Sequence, residues 1–299
     1  NQTAVIEFIL LGFQDLRQFR IPFFVLLAII YIVTSVGNLL IIALVSFSRS
    51  LHSPMYFFLS QLSISDILLT TDIAPNMLNI ILHKRTSISL PGCLLQCYVF
   101  GLVEGFECYL LTVMSYDRYV AICSPLHYTS IMKSSLCYKL ILTSWLLSCS
   151  FALFLTIKIS ELEFCGSNVM DYFYCDFNPL VELSCSDISR IQLQATMLCF
   201  PALVIPFILI LVSYTCIVLT LIKIPSFSGR LKSFSTCSSH LTVVFMFYGT
   251  LLALYMIPKK RKSKMIRKMM TMLYTVFTPF LNPFIYSLRN TDMKETFKK

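Results

Sequence analysis

Met114-Ser115-Tyr116-Asp117-Arg118-Tyr119-Val120-Ala121-Ile122-Cys123-Ser124-Pro125-Leu126-His127-Tyr128 decides how this chain is read. An acid and a base stand side by side at the end of a long apolar run, Cys93–Ile122. Charge at the edge of a bilayer is costly, so it is paired and commonly functional. Outward from this stretch, apolar residues come in long blocks rather than amphipathic stripes. Ile21–Ser48, Ile191–Ile222, Ser233–Pro258 and Met269–Leu288 hold no Asp, Glu, Lys or Arg, and Pro54–Leu82, Cys93–Ile122 and Leu136–Ile157 hold a few. Each block reaches or exceeds the roughly 20 residues that cross about 30 Å of hydrocarbon. These spans must be helices, because lipid satisfies no open backbone group. Composition agrees: with 57% hydrophobic and 13% charged residues, a soluble domain of 299 residues could not cover its apolar surface.

The expected fold is an all-α bundle of seven transmembrane helices in one domain, residues 1–299. Residues 1–20 form an outer N-terminus, 21–288 the helix bundle with its loops, and 289–299 an inner tail. Asn1–Arg20 has no basic start, clean apolar core or small-residue cleavage site, so it does not read as a signal peptide. Asn1-Gln2-Thr3 fits the glycosylation acceptor pattern, and its use would place the N-terminus outside. Charge tests that orientation. Of the 24 Lys and Arg, 13 then fall outside and 11 inside. Seven of the outer ones sit together: Lys259, Lys260, Arg261, Lys262, Lys264, Arg267 and Lys268. Setting this loop aside, the bias agrees with positive-inside. The loop accounts for much of the net charge of +9, so nucleic acid is not implied as a partner. Its expected counterpart is the long connection Lys158–Arg190, which holds Glu161, Glu163, Asp171, Asp176, Glu182 and Asp187. A second reading has it drawing anionic ligands inward by a local field.

Four of the 12 cysteines, Cys93, Cys165, Cys175 and Cys185, cluster at the expected outer side, where disulfides persist. Spacing alone allows three pairings of these four. Pro75, Pro206, Pro279 and Pro283 lie inside spans, where each frees a carbonyl and kinks its helix. No Ser-His-Asp set, phosphate loop or metal cluster is present, so no enzyme chemistry is expected.

The chain resembles the odorant receptors of the rhodopsin-like G-protein-coupled family nearly end to end. Leu51–Ser60 resembles that group's first inner loop, Gly37-Asn38 its first-span asparagine, and Leu62-Ser63-Ile64-Ser65-Asp66 its second-span acid motif. Met114–Tyr128 resembles its third-span arginine motif, Lys232–Leu241 its sixth-span signature, and Pro279–Asn290 its seventh-span ending. Six motifs in order, each on its proper span, are specific. The resemblance implies a small-odorant ligand, a lipid bilayer around the bundle, and a heterotrimeric G protein of the stimulatory, olfactory type that raises cyclic AMP at the plasma membrane.

It also implies residue roles. Asp117, Arg118, Tyr119, Tyr214, His240 and Tyr286 would carry G-protein coupling, with Asp117 holding Arg118 at rest. Phe100, Gly101, Glu104, Cys108, Leu198, Ala202, Tyr248, Leu251, Leu252, Tyr255, Met272 and Thr275 would line the ligand site. Cys93 would join Cys175, and Cys165 would join Cys185, leaving Cys97 a free thiol. Asp66 and Glu107 are two mid-span carboxylates that cannot both stay ionised without a cation or a proton. With Asn38 and Asn282 as oxygen donors, a bound sodium ion is expected, against a protonated carboxyl in a water network. Glu104 lies one turn from Glu107 on the same face and would attract an amine or a hydroxyl donor, or extend that network. A transporter is the competing class. It would show repeated halves and paired broken helices, and neither repeat nor an even span count is found. A receptor of this kind for a non-odorant ligand is the other alternative.

Overall fold

The computed structural model describes residues 5–223, 227–256 and 264–289. In chain order these form β1 (Glu7–Leu10), α1 (Arg20–Phe47), α2 (Pro54–His83), β2 (Thr86–Ser89) and α3 (Leu90–Cys123). There follow the short α4 (Tyr128–Ile131), α5 (Ser134–Ser160), β3 (Val169–Met170), the short α6 (Phe177–Leu183), α7 (Ser189–Lys223) and α8 (Phe227–Met256). The chain closes with α9 (Lys264–Met272), a π-helical turn at Leu273–Phe277, and α10 (Thr278–Arg289). Within the described residues, α1, α2, α3, α5, α7 and α8 are each long and apolar enough to cross a membrane.

The seventh expected span is a composite, which corrects its boundary. The charge-free block begins at Met269, yet helix begins at Lys264, so Lys264, Arg267 and Lys268 ride on α9. Lys259–Lys262 lie outside the described residues. The helix widens where the Thr278 N–H reaches back to the Leu273 carbonyl. Pro279 follows at once; its ring crowds the preceding turn and it brings no N–H, conditions under which a π-turn relieves the backbone.

Local chemistry sets the other ends. Pro54 opens α2, and the Ser89 hydroxyl accepts from the Gly92 N–H at 3.2 Å to cap α3. α2 stops at Lys84, whose φ of 71° is left-handed. Two carbonyls of its last turn are taken up by Arg20, Nε to Ile81 O at 2.5 Å and Nη2 to Leu82 O.

α3 is the central helix, packed against α2, α5, α7 and α8. Its approach to α5 runs over small residues. Gly101 faces Ala152 and Gly105 faces Ser148, so that even a Cβ would be in van der Waals contact. One turn on, Phe106 and Trp145 stack with centroids 3.9 Å apart.

Buried side chains form two cores. One, around Phe58, Phe106, Met114, Tyr214 and Phe247, lies toward Asp117 and Arg118. The other, around Phe8, Ile73, Phe100, Phe173 and Tyr174, lies toward Cys93. A three-stranded sheet ordered β2-β1-β3 covers the second core, with β1 antiparallel to β2 and parallel to β3. Disulfides Cys93–Cys175 and Cys165–Cys185 fasten the connection after α5, as the resemblance implied, and Cys97 is free. Lys268 is buried and ties three segments together. Its Nζ donates to the Gly12 carbonyl at 2.7 Å and to Asp171 Oδ1 at 2.5 Å. The basic cluster thus does face the acids of this connection, at least through Lys268.

Gly12 has a φ of 56°, and a Cβ there would collide with the Ile80 side chain. Gly12→Ala should therefore destabilise the folded protein by about 1–3 kcal/mol. Gly166, with open space around it, is the control. Thermal melts of the purified variants in lipid nanodiscs read the difference, and equal melting of the two would refute the packing described.

Candidate functional site

Three polar sites are strung along α3. The first is at the end carrying Asp117 and Arg118. Asp117 is fully buried, and the Arg118 side chain only 12% exposed. Arg118 Nε donates to Asp117 Oδ2 at 3.0 Å, and its Nη2 meets the same oxygen. The other carboxylate oxygen accepts from the Tyr128 hydroxyl at 2.8 Å. Close by, His240 bridges α3 and α7. Its Nε2 lies 3.1 Å from the Leu111 carbonyl and its Nδ1 2.6 Å from the Tyr214 hydroxyl. A carbonyl can only accept, so Nε2 carries the proton and, in neutral His240, Nδ1 receives the tyrosine's. Tyr286 is buried, and its hydroxyl has no hydrogen-bond partner among the described residues. Tyr119 is half-buried, its ring 6.4 Å from that of Tyr116.

The second site lies mid-bundle. Asn282 Nδ2 donates to both Asp66 oxygens, at 3.1 and 3.0 Å. The Ser65 hydroxyl donates to Glu107 Oε1 at 3.1 Å. Asn38 Nδ2 donates to Thr34 O at 3.0 Å and to Pro279 O at 3.4 Å. The Oδ1 atoms of Asn38 and Asn282 are buried without a partner among the described residues.

The third site is a cavity of about 460 Å³ between α3, α5 and α7, bounded further by α8 and α9. Phe100, Gly101, Glu104 and Cys108 form its α3 wall. Its roof is Tyr172, Asp176, Phe177 and Asn178, drawn onto α3 by the Cys93–Cys175 bond and by Cys175 N donating to Gln96 Oε1 at 2.9 Å. The Tyr172 hydroxyl and Thr271 Oγ1, 2.7 Å apart, close the roof against α9. A second cavity of about 370 Å³ shares Tyr172, Asp176, Asn178 and Arg267 with the first and continues between Glu182, Lys264 and Lys268. Burial pushes the Asp176 carboxyl from an ordinary 3.8 up to about 6, although the Phe177 N–H and Arg267 both pull it down.

The olfactory receptor profile matches residues 27–299. Rat olfactory receptor 1468 is 45% identical over 99% of this chain and 94% of its own length. Mouse olfactory receptor 1M1 is 44% identical over 100% of this chain and 96% of its own, and human olfactory receptor 6J1 46% over 98% and 84%. The chain belongs to the olfactory receptor family. It is a multi-pass membrane receptor of the G-protein-coupled kind, not an enzyme.

In this olfactory receptor the cavity walls include Phe100, Gly101, Glu104, Cys108, Ala202 and Leu251 of the expected ligand set. The others stand elsewhere. Leu252 is 64% exposed, because adjacent helical residues point about 100° apart and Leu251 takes the inward direction. Leu198 is half-buried off the cavity, while Met272 and Thr275 are buried in packing around the π-turn. Tyr248 sits beside Cys108 rather than on the wall. The side chain of Tyr255, and Asn1 with its acceptor pattern, lie outside the described residues.

Residues not singled out beforehand complete the sites. Tyr128 holds Asp117, and Tyr172, Asp176 and Phe177 roof the cavity. The cue for the roof was available: Asp176 follows Cys175, which the disulfide pins to the top of α3. Because the closed roof holds the Asp176 proton more tightly than an open one, its contribution to roof stability falls as pH rises from about 4 to about 6. The loss at neutral pH is on the order of 3 kcal/mol. Asp176→Asn should abolish that slope. Amide hydrogen exchange of residues 170–177 in both proteins across this range reads it, and superimposable profiles would sink the claim.

Proposed function

We propose that this receptor is activated by a small odorant held in the cavity between α3, α5 and α7, and that it activates a stimulatory, olfactory-type G protein to raise cyclic AMP. The observation that carries this reading is the Tyr128–Asp117–Arg118 chain. Arg118 is permanently charged, nearly buried and retained by one neighbouring carboxylate. Releasing it would expose a five-donor cation at the end of the bundle opposite the cavity. In this proposal that end faces the cytoplasm and the sheet-covered end faces outward at the plasma membrane, in keeping with the Lys/Arg bias of the short loops. Tyr119, Tyr214, His240 and Tyr286 surround the same end and serve the same step. The cavity suits a small ligand: concave, with a mostly apolar surface into which polar groups are set.

The middle site holds sodium in the resting state. The fit rests on its donors. Asp66 and Glu107 are close enough to repel, the Ser65 hydroxyl adds an oxygen beside Glu107, and the carboxamide oxygens of Asn38 and Asn282 there are buried and unmatched. An all-oxygen site of this kind favours a hard cation. A bound cation would offset the repulsion and hold α2, α3 and α10 together.

Two measurements test these assignments in cells with a cyclic AMP reporter and a broad odorant panel. Arg118→Ala should abolish the response at unchanged surface expression. Tyr128→Phe should raise the ligand-free signal about two- to tenfold, since it removes one hydrogen bond from the resting pair. A full response from Arg118→Ala would reject the coupling role. For the ion, sodium in place of an organic cation should raise the melting temperature of the purified receptor and not that of Asp66→Asn; an indifferent wild type would reject the sodium site.

A further inference from the structure

Among the described residues, most buried polar side chains of the spans have hydrogen-bond partners within the protein. Glu104 is one of the exceptions. Its carboxylate has no hydrogen bond and no ion pair among the described residues, and no main-chain N–H approaches it. It is partly accessible, and the space it opens onto is the cavity. The charged groups close enough to act on it are Asp176 and Glu107, both acids. Arg267, the cation on the cavity wall, lies at the roof beside Asp176 and Tyr172. The interior of the cavity is therefore electronegative, and its negative end is at Glu104. A carboxylate away from bulk water is stable only when a proton, a cation or hydrogen-bond donors meet it.

The rest of the wall fits the counterpart. Phe100, Tyr109 and Tyr274 present aromatic rings, and Leu203 and Leu251 add aliphatic surface. Aromatic faces attract cations, and the aliphatic side takes a hydrocarbon. We propose that the cavity selects small organic amines, with the ammonium hydrogen-bonded to Glu104 and the hydrocarbon laid against the aromatic and aliphatic walls. This deepens the odorant-receptor reading and rests on it for the site's use in signalling, but the binding claim stands by itself. An alkylammonium is charged at neutral pH and donates up to three hydrogen bonds. An alcohol can donate only one bond and brings no charge, and a carboxylate ligand would be repelled. Glu104 is then the residue that determines ligand class.

The test uses the full-length receptor in lipid nanodiscs, with ligand binding read by thermal stabilisation, and the same receptor in cells with the cyclic AMP reporter. The probes are hexylamine, octylamine and cyclohexylamine against hexanol, hexanal and hexanoate. Amines should bind more tightly than the matched alcohol and aldehyde, with hexanoate weakest. Glu104→Gln should lower the ratio of amine to alcohol affinity roughly ten- to hundredfold, and Glu104→Asp should restore part of it. Alcohols binding as tightly as amines in the wild type would overturn the proposal, and that comparison needs no variant to fold. An unchanged affinity ratio in a folded Glu104→Gln would overturn it too, as would a complete absence of amine binding. Amine binding without a cyclic AMP signal would leave the inference standing and count against the signalling assignment.

Discussion

α3 can remain at the centre of the bundle only if the polar groups it carries there are matched, and this constraint organises the molecule. Helix backbone is self-sufficient in lipid, but side chains are not. Along one face α3 carries Cys93, Gln96, Glu104, Glu107, Asp117 and the neighbouring Arg118, and each match brings in another segment. Gln96 engages the backbones of Asp72 and Cys175. Glu107 engages Ser65 of α2. Asp117 engages Arg118 and Tyr128 at the start of α4. The Leu111 carbonyl engages His240 of α8. Losing one partner of a buried polar pair costs about 1–3 kcal/mol, and more when the survivor is charged. The arrangement of the neighbouring segments is thus written into the polar residues of one helix. Glu104 departs from the pattern: on the cavity wall it has no hydrogen-bond or ion-pair partner among the described residues.

The spans were legible because lipid permits so few alternatives. Long apolar blocks with few charges or none are helices, and their limits fall within a few residues of those of α1, α2, α3, α5 and α7. The seventh span was less legible. Its first turns carry Lys264, Arg267 and Lys268, which hydropathy assigns to a loop, yet Lys268 is buried because Asp171 and the Gly12 carbonyl receive it. That pairing is tertiary and leaves no local periodic signal. The sheet was not legible for the same reason. β1 and β2 are four residues each and β3 two, too short for alternation to stand out. In the candidate site, depth along α3 was readable from motif spacing, and Phe100, Gly101, Glu104 and Cys108 all stand on the cavity wall. Rotation was not, because at this depth α7 (Met197–Ile205) and α8 (Leu251–Leu254) offer almost only apolar side chains. Leu251 and Leu252 have the same chemistry, and only packing determines which of them faces inward.

The connection after α5 shows how a long loop becomes part of a binding site. Two disulfides, the strand pairing of β1 with β3, and the Lys268 tether restrict it at separate points. Such cross-links act largely by limiting the unfolded loop, so their effect is greatest where a connection is long. With the loop so restricted, Phe173 and Tyr174 are fully buried and Tyr172 and Asp176 reach the cavity. A ligand entering by the second cavity would pass the residues both cavities share, among them Asp176 and Arg267. The roof those residues form includes an acid, Asp176, whose charge is held there at a cost.

The two apolar cores meet across the polar layer of Asp66, Asn282, Glu107 and Asn38, and in this layer polar matching is incomplete. The Oδ1 atoms of Asn38 and Asn282, and the Tyr286 hydroxyl one turn along α10, are buried without partners among the described residues. At about 1–3 kcal/mol for each unmatched group, the layer carries a cost comparable with the net stability of many folded domains. An apolar interface offers no comparable gain from a small rearrangement, since its contacts are non-directional and already dense. A polar layer with unmatched groups does, because a shift of α10 or an added cation can pair several of them at once. Asn282 is on α10, Asp66 on α2 and Glu107 on α3, so whatever pairs these groups also sets how those three helices sit. The cavity lies on one side of the layer and Arg118 on the other, both attached to α3. Any coupling of the cavity to Arg118 along α3 would have to cross this layer, where a small shift has polar groups to pair.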